Sequence, residues 1–331
     1  MTGAYLRELV ASWRDLNWRA RERWLNGHPQ FLAEVDGTTV HFVHRRAEHA
    51  DAPALLVMHG WPHTFALQLE FADLLTDFHV VIPSFPGFAF SPPQDGPFSE
   101  EAIATLMNRL MTDVLGYDRY LTYGEDISAN VNDLIASRFP GSVAGVLVTH
   151  AHFPTDDERA GLTDPEAQAF FAGLQEAGAR DGAYAFVQAT RPDTLAVALN
   201  DSPAGLVAWL TEKLVEWADT PREDPPAIER RISRTRILTE AMIYWVTQSV
   251  STSLRPYFDR VDAVIAPVEV PAAVAIQRHE ADYPESLARA FYRDLRSFAR
   301  LAEGGHFAAA EVPQQLAQRT RALAREVGLL R

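Results

Sequence analysis

The stretch that decides the fold is Tyr123-Gly-Glu-Asp-Ile-Ser128, which follows an apolar run and precedes a helical segment. A strand that enters a sharp turn and then a helix is the arrangement that presents a nucleophile above a sheet. Small residues, Gly124 and Ser128, flank this turn, and Asp126 takes the exposed position between them. Aspartate is ionised at neutral pH and can attack an electrophilic carbon without help from a base. The alternative is an ordinary aspartate that caps the helix.

Two other loops favour the nucleophile interpretation. A short apolar run stops at His59-Gly60-Trp61-Pro62, a tight turn that can aim the backbone N–H of Trp61 at a developing oxyanion. The N–H of Ile127, directly after the nucleophile, would supply the second donor. Near the C-terminus, Gly304-Gly305-His306 places a histidine on a loop before the last helical segment. The base belongs there if the chain order is nucleophile, acid, histidine.

At this point the chain resembles the microsomal-type (juvenile-hormone-type) epoxide hydrolases of the α/β-hydrolase fold. The similar segments are spread over nearly the whole chain: Asp15–Gln30, Thr39–His44, His59–Pro62, Pro83–Ser91, Pro192–Gly205 and Gly304–Ala309. The resemblance implies the α/β class, with a mostly parallel central sheet, helices on both faces and an inserted helical lid. It also implies conversion of an epoxide to a vicinal diol through a covalent aspartyl ester, without a cofactor.

The chain departs from the family's pattern in three places. The family's elbow usually reads Gly-Gly-Asp-Trp-Gly, so Glu125 and Ile127 replace a glycine and a tryptophan. His63 and Thr64 stand where Gly-Ser is usual. The N-terminal region is shorter than the family's, and we expect it to lack the membrane anchor. These departures bear on the size and shape of the substrate more than on the reaction.

The resemblance implies two ring-opening tyrosines in the lid. A strained ring opens faster when its oxygen receives a hydrogen bond or a proton, and tyrosine can donate one without losing its proton permanently. Tyr257, in Leu254-Arg-Pro-Tyr-Phe258, looks like the family's second tyrosine, and Tyr184 sits where the first is found. Without the resemblance, each would be interpreted as a core tyrosine.

The histidine needs a carboxylate that orients its ring. Glu280 follows the apolar run 270–276, at the strand end where sheet enzymes place catalytic groups. It precedes His306 by 26 residues, close to the family's spacing. Asp282 is the alternative. Phe88, on a Pro- and Gly-rich loop, is a candidate for substrate binding.

His59 and Pro62, in the turn after the first buried strand, are the other candidates for substrate binding. His150-Ala-His152 could be half of a metal site, because both side chains share one face of a strand end. No third ligand stands nearby in a recognisable pattern, so we predict no metal and expect these histidines to line the pocket floor or support the lid.

Composition limits the remaining possibilities. The chain has 331 residues, with 30 Lys+Arg against 44 Asp+Glu, a net charge of −14 that argues against nucleic acid or an anionic membrane surface as partner. No apolar run approaches the ~18 to 20 residues of a membrane span. Zero cysteines exclude disulfides and thiolate chemistry. We predict a cytoplasmic enzyme whose partner is a small-molecule epoxide, and we consider a homodimer.

The predicted domain organisation has four parts: an N-terminal segment at 1–50, helical to about residue 35, two core parts at 51–152 and 259–331, and a helical lid at 153–258. Alternation of elements predicts a parallel sheet covered on both faces. Strands are predicted at 39–45, 54–59, 78–83, 119–125, 143–150, 268–276 and 297–302. Helices are predicted at 64–76, 99–115, 128–138, 164–178, 203–218, 235–252 and 313–327.

Two other functions remain open at this stage. A haloalkane-type dehalogenase would use the same aspartate, histidine and acid, but it needs ring N–H donors near the leaving halide, and Ile127 cannot provide one. The chain could also be a non-catalytic relative in which the altered elbow marks lost chemistry.

Overall fold

The structure is a computed structural model that describes residues 1–259 and 263–330. Within these residues, eight strands form one sheet in the order β1-β2-β4-β3-β5-β6-β7-β8. Strands β3 to β8 run parallel, and β2 is antiparallel to both of its neighbours. The strands are β1 Gln30–Val35, β2 Thr38–Arg45, β3 Ala54–Met58, β4 His79–Pro83, β5 Tyr120–Gly124, β6 Val143–Val148, β7 Val268–Ile276 and β8 Tyr292–Arg300.

Helices cover both faces of the sheet and form a separate group between β6 and β7. Those outside that group are α1 Gly3–Arg14, α2 Trp18–Asn26, α3 Leu69–Asp73, α4 Glu100–Arg109, α5 Ile127–Arg138, α14 Glu285–Phe291, α15 Ala308–Glu311 and α16 Pro313–Glu326. A 3₁₀ helix at Phe65–Gln68 and a π-helical turn at Leu110–Val114 complete this set.

The connection from β6 to β7 is the helical insertion, which contains α6 to α13 and a 3₁₀ helix at Pro225–Arg230. Its α-helices are α6 Asp156–Ala160, α7 Pro165–Asp181, α8 Ala183–Thr190, α9 Pro192–Asp201, α10 Pro203–Trp217, α11 Arg234–Thr247, α12 Val250–Ser253 and α13 Arg255–Phe258. Capping residues start several of these helices; Ser202, for example, accepts from the N–H of Gly205 ahead of α10. Among the described residues, none of the helices combines the length and apolar character that a membrane span needs.

The central strands carry the site because they are buried on both faces. Every residue of β3, β5 and β6 is buried, as expected for parallel strands covered by helices on both sides. The carboxyl ends of β3, β5, β6, β7 and β8 lie at one edge of the sheet, so the loops that follow them meet there. These loops hold the residues discussed below.

The prediction that residues 1 to 35 are helical is wrong for the last part of that range. Helices α1 and α2 form, but residues 30–35 are strand β1, paired with β2 through a two-residue turn. Asp36 and Gly37 both have positive φ, at 51° and 78°, the conformation that a tight hairpin turn requires. Pro29 ends the preceding helical stretch because it cannot donate a backbone hydrogen bond.

Helix α1 packs against the helical insertion. The Tyr5 hydroxyl donates to the Glu229 carboxylate at 2.9 Å, and Arg234 donates to the Ser12 hydroxyl at 3.1 Å. The side chain of Leu9 is fully buried. The N-terminal helix therefore supports the insertion rather than the sheet.

Three other predicted elements differ from the observed ones. The helix predicted at 235–252 is divided into α11 and α12 at Gln248, whose φ is 55°. The helix predicted at 64–76 is a short 3₁₀ helix followed by the five-residue α3. The last strand begins at Tyr292 rather than at residue 297, directly after α14. The other predicted strands agree with the structure to within about two residues at each end, the usual uncertainty of element boundaries.

Candidate active site

Asp126 lies in a strained turn between β5 and α5. Its φ is 58° and its ψ is −128°, a backbone conformation that residues other than glycine rarely adopt and that is found mostly at functional sites. Added Cβ atoms on Gly60 and Gly124 would overlap Asp126 and Ser128, respectively. Glycine at position 60 allows the loop after β3 to approach Asp126, and glycine at position 124 allows the turn to fold back closely on the end of β5. The turn therefore presents a carboxylate at the first residue before a helix.

The two oxygens of the Asp126 carboxylate have different partners. Oδ1 accepts the backbone N–H of Trp61 at 2.8 Å, and Oδ2 lies 3.0 Å from Nε2 of His306. Burial by itself raises the pKa of Asp126, but the hydrogen bond and charge of His306 and the N–H groups of Trp61 and Ile127 more than reverse this and lower it. Asp126 is therefore ionised at neutral pH and oriented by contacts on both oxygens.

His306 is oriented by Glu280. Its Nδ1 lies 2.8 Å from Oε1 of Glu280, on the side of the ring opposite Asp126. Burial opposes charge on this histidine, but the charge of Glu280 and the bond to Asp126 hold its pKa well above the ordinary value. Burial also raises the pKa of Glu280, yet the charge of His306 and a hydrogen bond from His150 bring it well below its usual range. In the free protein His306 is a protonated group between two carboxylates.

The alternative acid, Asp282, does not reach His306. Its side chain is 93% exposed and forms an ion pair with Arg300 at 3.3 Å. Of the two acids considered from the sequence, Glu280 is the one that contacts the histidine.

Tyr184 and Tyr257 project from the helical insertion onto the ring of Trp61. The Tyr184 ring stacks on Trp61 with centroids 5.6 Å apart, and the Tyr257 ring meets it edge-on at 5.8 Å. The two rings also lie edge-on to each other, with centroids 5.9 Å apart. The pKa of each is raised by burial and by nearby charge, including that of Asp126. Two protonated phenols therefore lie in the same cavity lining as Asp126.

Comparison with known proteins adds an independent observation. The chain matches the family model "Epoxide hydrolase N terminus" over residues 1–68 and that of the alpha/beta hydrolase fold over residues 53–249. A putative epoxide hydrolase of Stigmatella aurantiaca (strain DW4/3-1) is 34% identical over 98% of this chain and 76% of its own length. Epoxide hydrolase 1 of Sus scrofa is 31% identical over 95% of this chain and 78% of its own length.

The chain belongs to the epoxide hydrolase family. Its backbone agrees with that of the juvenile hormone epoxide hydrolase from the silkworm Bombyx mori, with a TM-score of 0.88 and 26% identity over 99% of this chain and 85% of the other. Aspergillus niger epoxide hydrolase superimposes with a TM-score of 0.84 at 28% identity, over 99% and 86% of the two chains. The predicted α/β-hydrolase fold and the resemblance to this family are confirmed.

Within the part of the chain that the structure describes, the three residues predicted to bind substrate line neither of the two cavities that reach Asp126. His59 is fully buried; its Nε2 accepts the N–H of Phe85 at 3.1 Å, and its Nδ1 lies 3.0 Å from the Gly60 carbonyl oxygen. Burial lowers its pKa to about 3, so the ring is neutral. Phe88 packs against His59 with ring centroids 5.1 Å apart, and Pro62 is buried. These residues position the loop that carries Trp61.

His150 contacts the His306–Glu280 pair, a position that the sequence did not reveal. Its Nδ1 accepts the backbone N–H of Asp126 at 3.3 Å, so the proton of a neutral ring lies on Nε2. That atom lies 3.1 Å from Nδ1 of His306 and 3.5 Å from Oε1 of Glu280. His150 thus links the backbone of the nucleophile to the histidine–glutamate pair.

The i, i+2 histidine pair does not form one site. His152 stacks on Phe291 with centroids 3.6 Å apart, and its Nε2 lies 3.2 Å from the Glu158 carboxylate in α6. His150 instead joins Glu280 and His306, and the three ligand atoms lie within 4.8 Å of one another, close enough to hold a metal ion. The same atoms make the contacts between His306, Glu280 and His150, so we interpret the cluster as a hydrogen-bonded extension of the His306–Glu280 pair.

Glu125 connects β5, the loop after β3 and helix α15 behind Asp126. Its Oε1 lies 3.0 Å from Nε2 of His63, and its Oε2 accepts the Tyr123 hydroxyl at 2.6 Å and the Ala309 N–H at 3.3 Å. Burial raises its pKa, but the hydrogen bond and charge of His63 outweigh burial and lower it. Both Glu125 and His63 depart from the family's usual pattern, and the structure shows that they contact each other in full burial.

Proposed function

We propose that this chain hydrolyses an epoxide to a vicinal diol through an ester at Asp126, with His306 as the base of the second step. The observation that carries the proposal is the position of Asp126. One carboxylate oxygen is bonded to Trp61 and the other to His306, while the rings of Tyr184 and Tyr257 pack on Trp61. A carboxylate with hydrogen-bond donors opposite suits attack on a carbon whose leaving group is an oxygen.

In the first step, a carboxylate oxygen of Asp126 attacks one ring carbon and the bond from that carbon to the ring oxygen breaks. The ring oxygen becomes an alkoxide and takes a proton from the tyrosine pair. Because the pKa values of Tyr184 and Tyr257 are raised, both hydroxyls carry protons at neutral pH and can donate. The departing oxygen stays on the substrate as the first hydroxyl of the diol.

In the second step, His306 first passes its proton to the tyrosinate that the first step leaves. The neutral histidine then removes a proton from water, and the hydroxide attacks the ester carbonyl carbon. Esterification removes the charge of Asp126, one of the causes of the raised His306 pKa, so the histidine can act as a base only after the first step. The N–H groups of Trp61 and Ile127 hold the oxyanion. Collapse breaks the bond between the carbonyl carbon and the substrate oxygen. That oxygen takes the proton of the intermediate's hydroxyl group and becomes the second hydroxyl of the diol, which restores the Asp126 carboxylate beside protonated His306.

The helical insertion acts as the lid in this proposal. We propose the boundaries 1–50, 51–152, 153–258 and 259–331 for the N-terminal segment, first core part, lid and second core part. The lid supplies both tyrosines and Trp217, whose ring lies 5.0 Å from that of His306. An acidic, cysteine-free chain that needs no cofactor is consistent with a cytoplasmic enzyme.

The test is diol formation from a panel of aryl and alkyl epoxides by the purified protein, with Asp126→Ala as the inactive control. In a single turnover in heavy-oxygen water, we expect an unlabelled diol, because its new oxygen comes from the carboxylate. Label in the diol on the first turnover would show direct attack by water. Halide release from haloalkanes without diol formation from any epoxide would favour the dehalogenase alternative.

A further inference from the structure

Two cavities of similar size reach Asp126, and their arrangement indicates where the substrate carries its substituents. One has a volume of about 970 Å³ and the other about 850 Å³. They share three lining residues, Asp126, Tyr184 and Ala185, and otherwise have different walls. Each is large enough to hold a drug-sized ligand.

The two cavities extend from Asp126 toward different parts of the sheet edge. We call the first the β7 cavity; it is lined by 279–285 after β7, by His306 and by α7. We call the second the β6 cavity; it is lined by 152–156 after β6 and by Ile127 and Asn130 of α5. The nucleophile and Tyr184 are therefore at the junction of the two spaces.

The walls of both cavities include large apolar side chains. Phe170, Leu174 and Phe298 line the β7 cavity. The β6 cavity has Ile127, Phe153, Phe186 and Ile265, and its two phenylalanines are 45% and 72% exposed. Exposed aromatic side chains beside a nucleophile can be covered by hydrocarbon from a bound substrate.

We infer that the substrate is an internal epoxide, with a hydrocarbon arm of several carbons on each ring carbon. This inference rests on the proposed function. The ring oxygen must lie at the tyrosines and a ring carbon at Asp126, so the ring occupies the junction. A substituent on each carbon then fills one cavity, whereas a terminal epoxide leaves one cavity without substrate.

The first measurement compares two isomeric fourteen-carbon epoxides, one terminal and one with the ring in the middle of the chain. The isomers contain the same number of carbon atoms, so hydrophobicity alone does not separate them. We expect kcat/KM to be about tenfold or more higher for the mid-chain isomer, because both of its arms are buried. A small terminal epoxide, accommodated by the junction alone, reports the reaction itself.

Blocking variants then test each cavity separately. Ala177 of α7 and Ala189 of α8 are half-buried alanines, the first on the wall of the β7 cavity and the second on that of the β6 cavity. Ala177→Phe and Ala189→Phe should each lower kcat/KM for the mid-chain isomer about tenfold or more while leaving the small epoxide unaffected. Ala179→Phe and Ala183→Phe are matched controls on the same helices, at exposed positions that line neither cavity.

The outcomes separate this inference from the proposed function. If the small epoxide is hydrolysed but the mid-chain isomer is not preferred, or if only one blocking variant impairs it, the substrate occupies one cavity and the inference is wrong. If no epoxide is hydrolysed by the wild-type protein, the proposed function itself fails. Loss of activity toward the small epoxide in a blocking variant would show damage to the junction. In that case Ala177→Leu and Ala189→Leu, which fill less space, are compared in the same way, by kcat/KM for the mid-chain isomer and for the small epoxide.

Discussion

Removal of the two tyrosine hydroxyls tests how the ring oxygen is activated. Tyr184 and Tyr257 contact each other and both pack on the ring of Trp61, so either hydroxyl can serve the same oxygen. The single variants Tyr184→Phe and Tyr257→Phe keep the rings and their packing. The double variant removes both donors while preserving the shape of the junction.

The magnitude follows from the charge that develops on the ring oxygen. A hydrogen bond to a charged group contributes about 1.5–3 kcal/mol, or about 10- to 150-fold in rate at roughly 1.4 kcal/mol per tenfold. One remaining hydroxyl compensates in part, so each single variant should be slower by about tenfold. The double variant should lose about a thousandfold, more than the product of the two single effects.

The assay is the rate of ester formation in a single turnover, followed by rapid quenching and intact-protein mass spectrometry. Tyr120→Phe is the control, because its hydroxyl is buried and bonded to Asn108 at 2.8 Å near the opposite end of β5. It should leave the rate of ester formation unchanged. A double variant as fast as the wild type would show that the lid tyrosines are structural and that another group donates to the oxygen.

Three further perturbations test the surroundings of the nucleophile. The raised pKa of His306 means that its ion pair with Asp126 stabilises the fold fully below about pH 6.5. This contribution is lost as the pH rises through the higher pKa of the folded state. The Tm difference between wild type and Asp126→Ala, measured by calorimetry, should therefore shrink from pH 6 to pH 10, and a constant difference would contradict the ion pair. Glu125→Ala removes the carboxylate that contacts buried His63 and accepts from Tyr123, and it should lower the free energy of unfolding by about 3–5 kcal/mol, measured in urea titrations. A loss below about 1 kcal/mol would mean that the pair is unimportant. His150→Phe removes the acceptor of the Asp126 N–H and should slow ester formation with little change in Tm. A slower rate accompanied by a large drop in Tm would indicate a purely structural role.

The sequence predicted the central sheet and the sharp turn at Asp126 because both leave local signals. Strand β3 is a continuous apolar run, since it is buried on both faces, and the elbow residues 123–128 carry their own spacing. Strand β1 was missed because Phe31 and Leu32 are exposed at the sheet edge and give no buried alternation. The Asp36-Gly37 pair was the available signal for that hairpin.

The contacts of the site that could not be predicted are tertiary. His150 reaches His306 and Glu280 only because β6, β7 and β8 are neighbours in the sheet. Glu125 and His63 are separate departures in the sequence, and their pairing depends on the approach of two loops across Gly60. His59 and Phe88 were predicted to bind substrate from their loop positions alone, but both side chains are fully buried.

The covalent ester at Asp126 is tested most directly by trapping it in His306→Gln. Asp126 needs no base to attack, but ester hydrolysis needs His306 to activate water, so this variant should stop between the two steps. After incubation with an epoxide, intact-protein mass spectrometry should show a gain of one substrate mass, mapped after digestion to the peptide that contains Asp126. Continued diol formation without an adduct, or an adduct on another peptide, would contradict the assignment of Asp126 as the nucleophile.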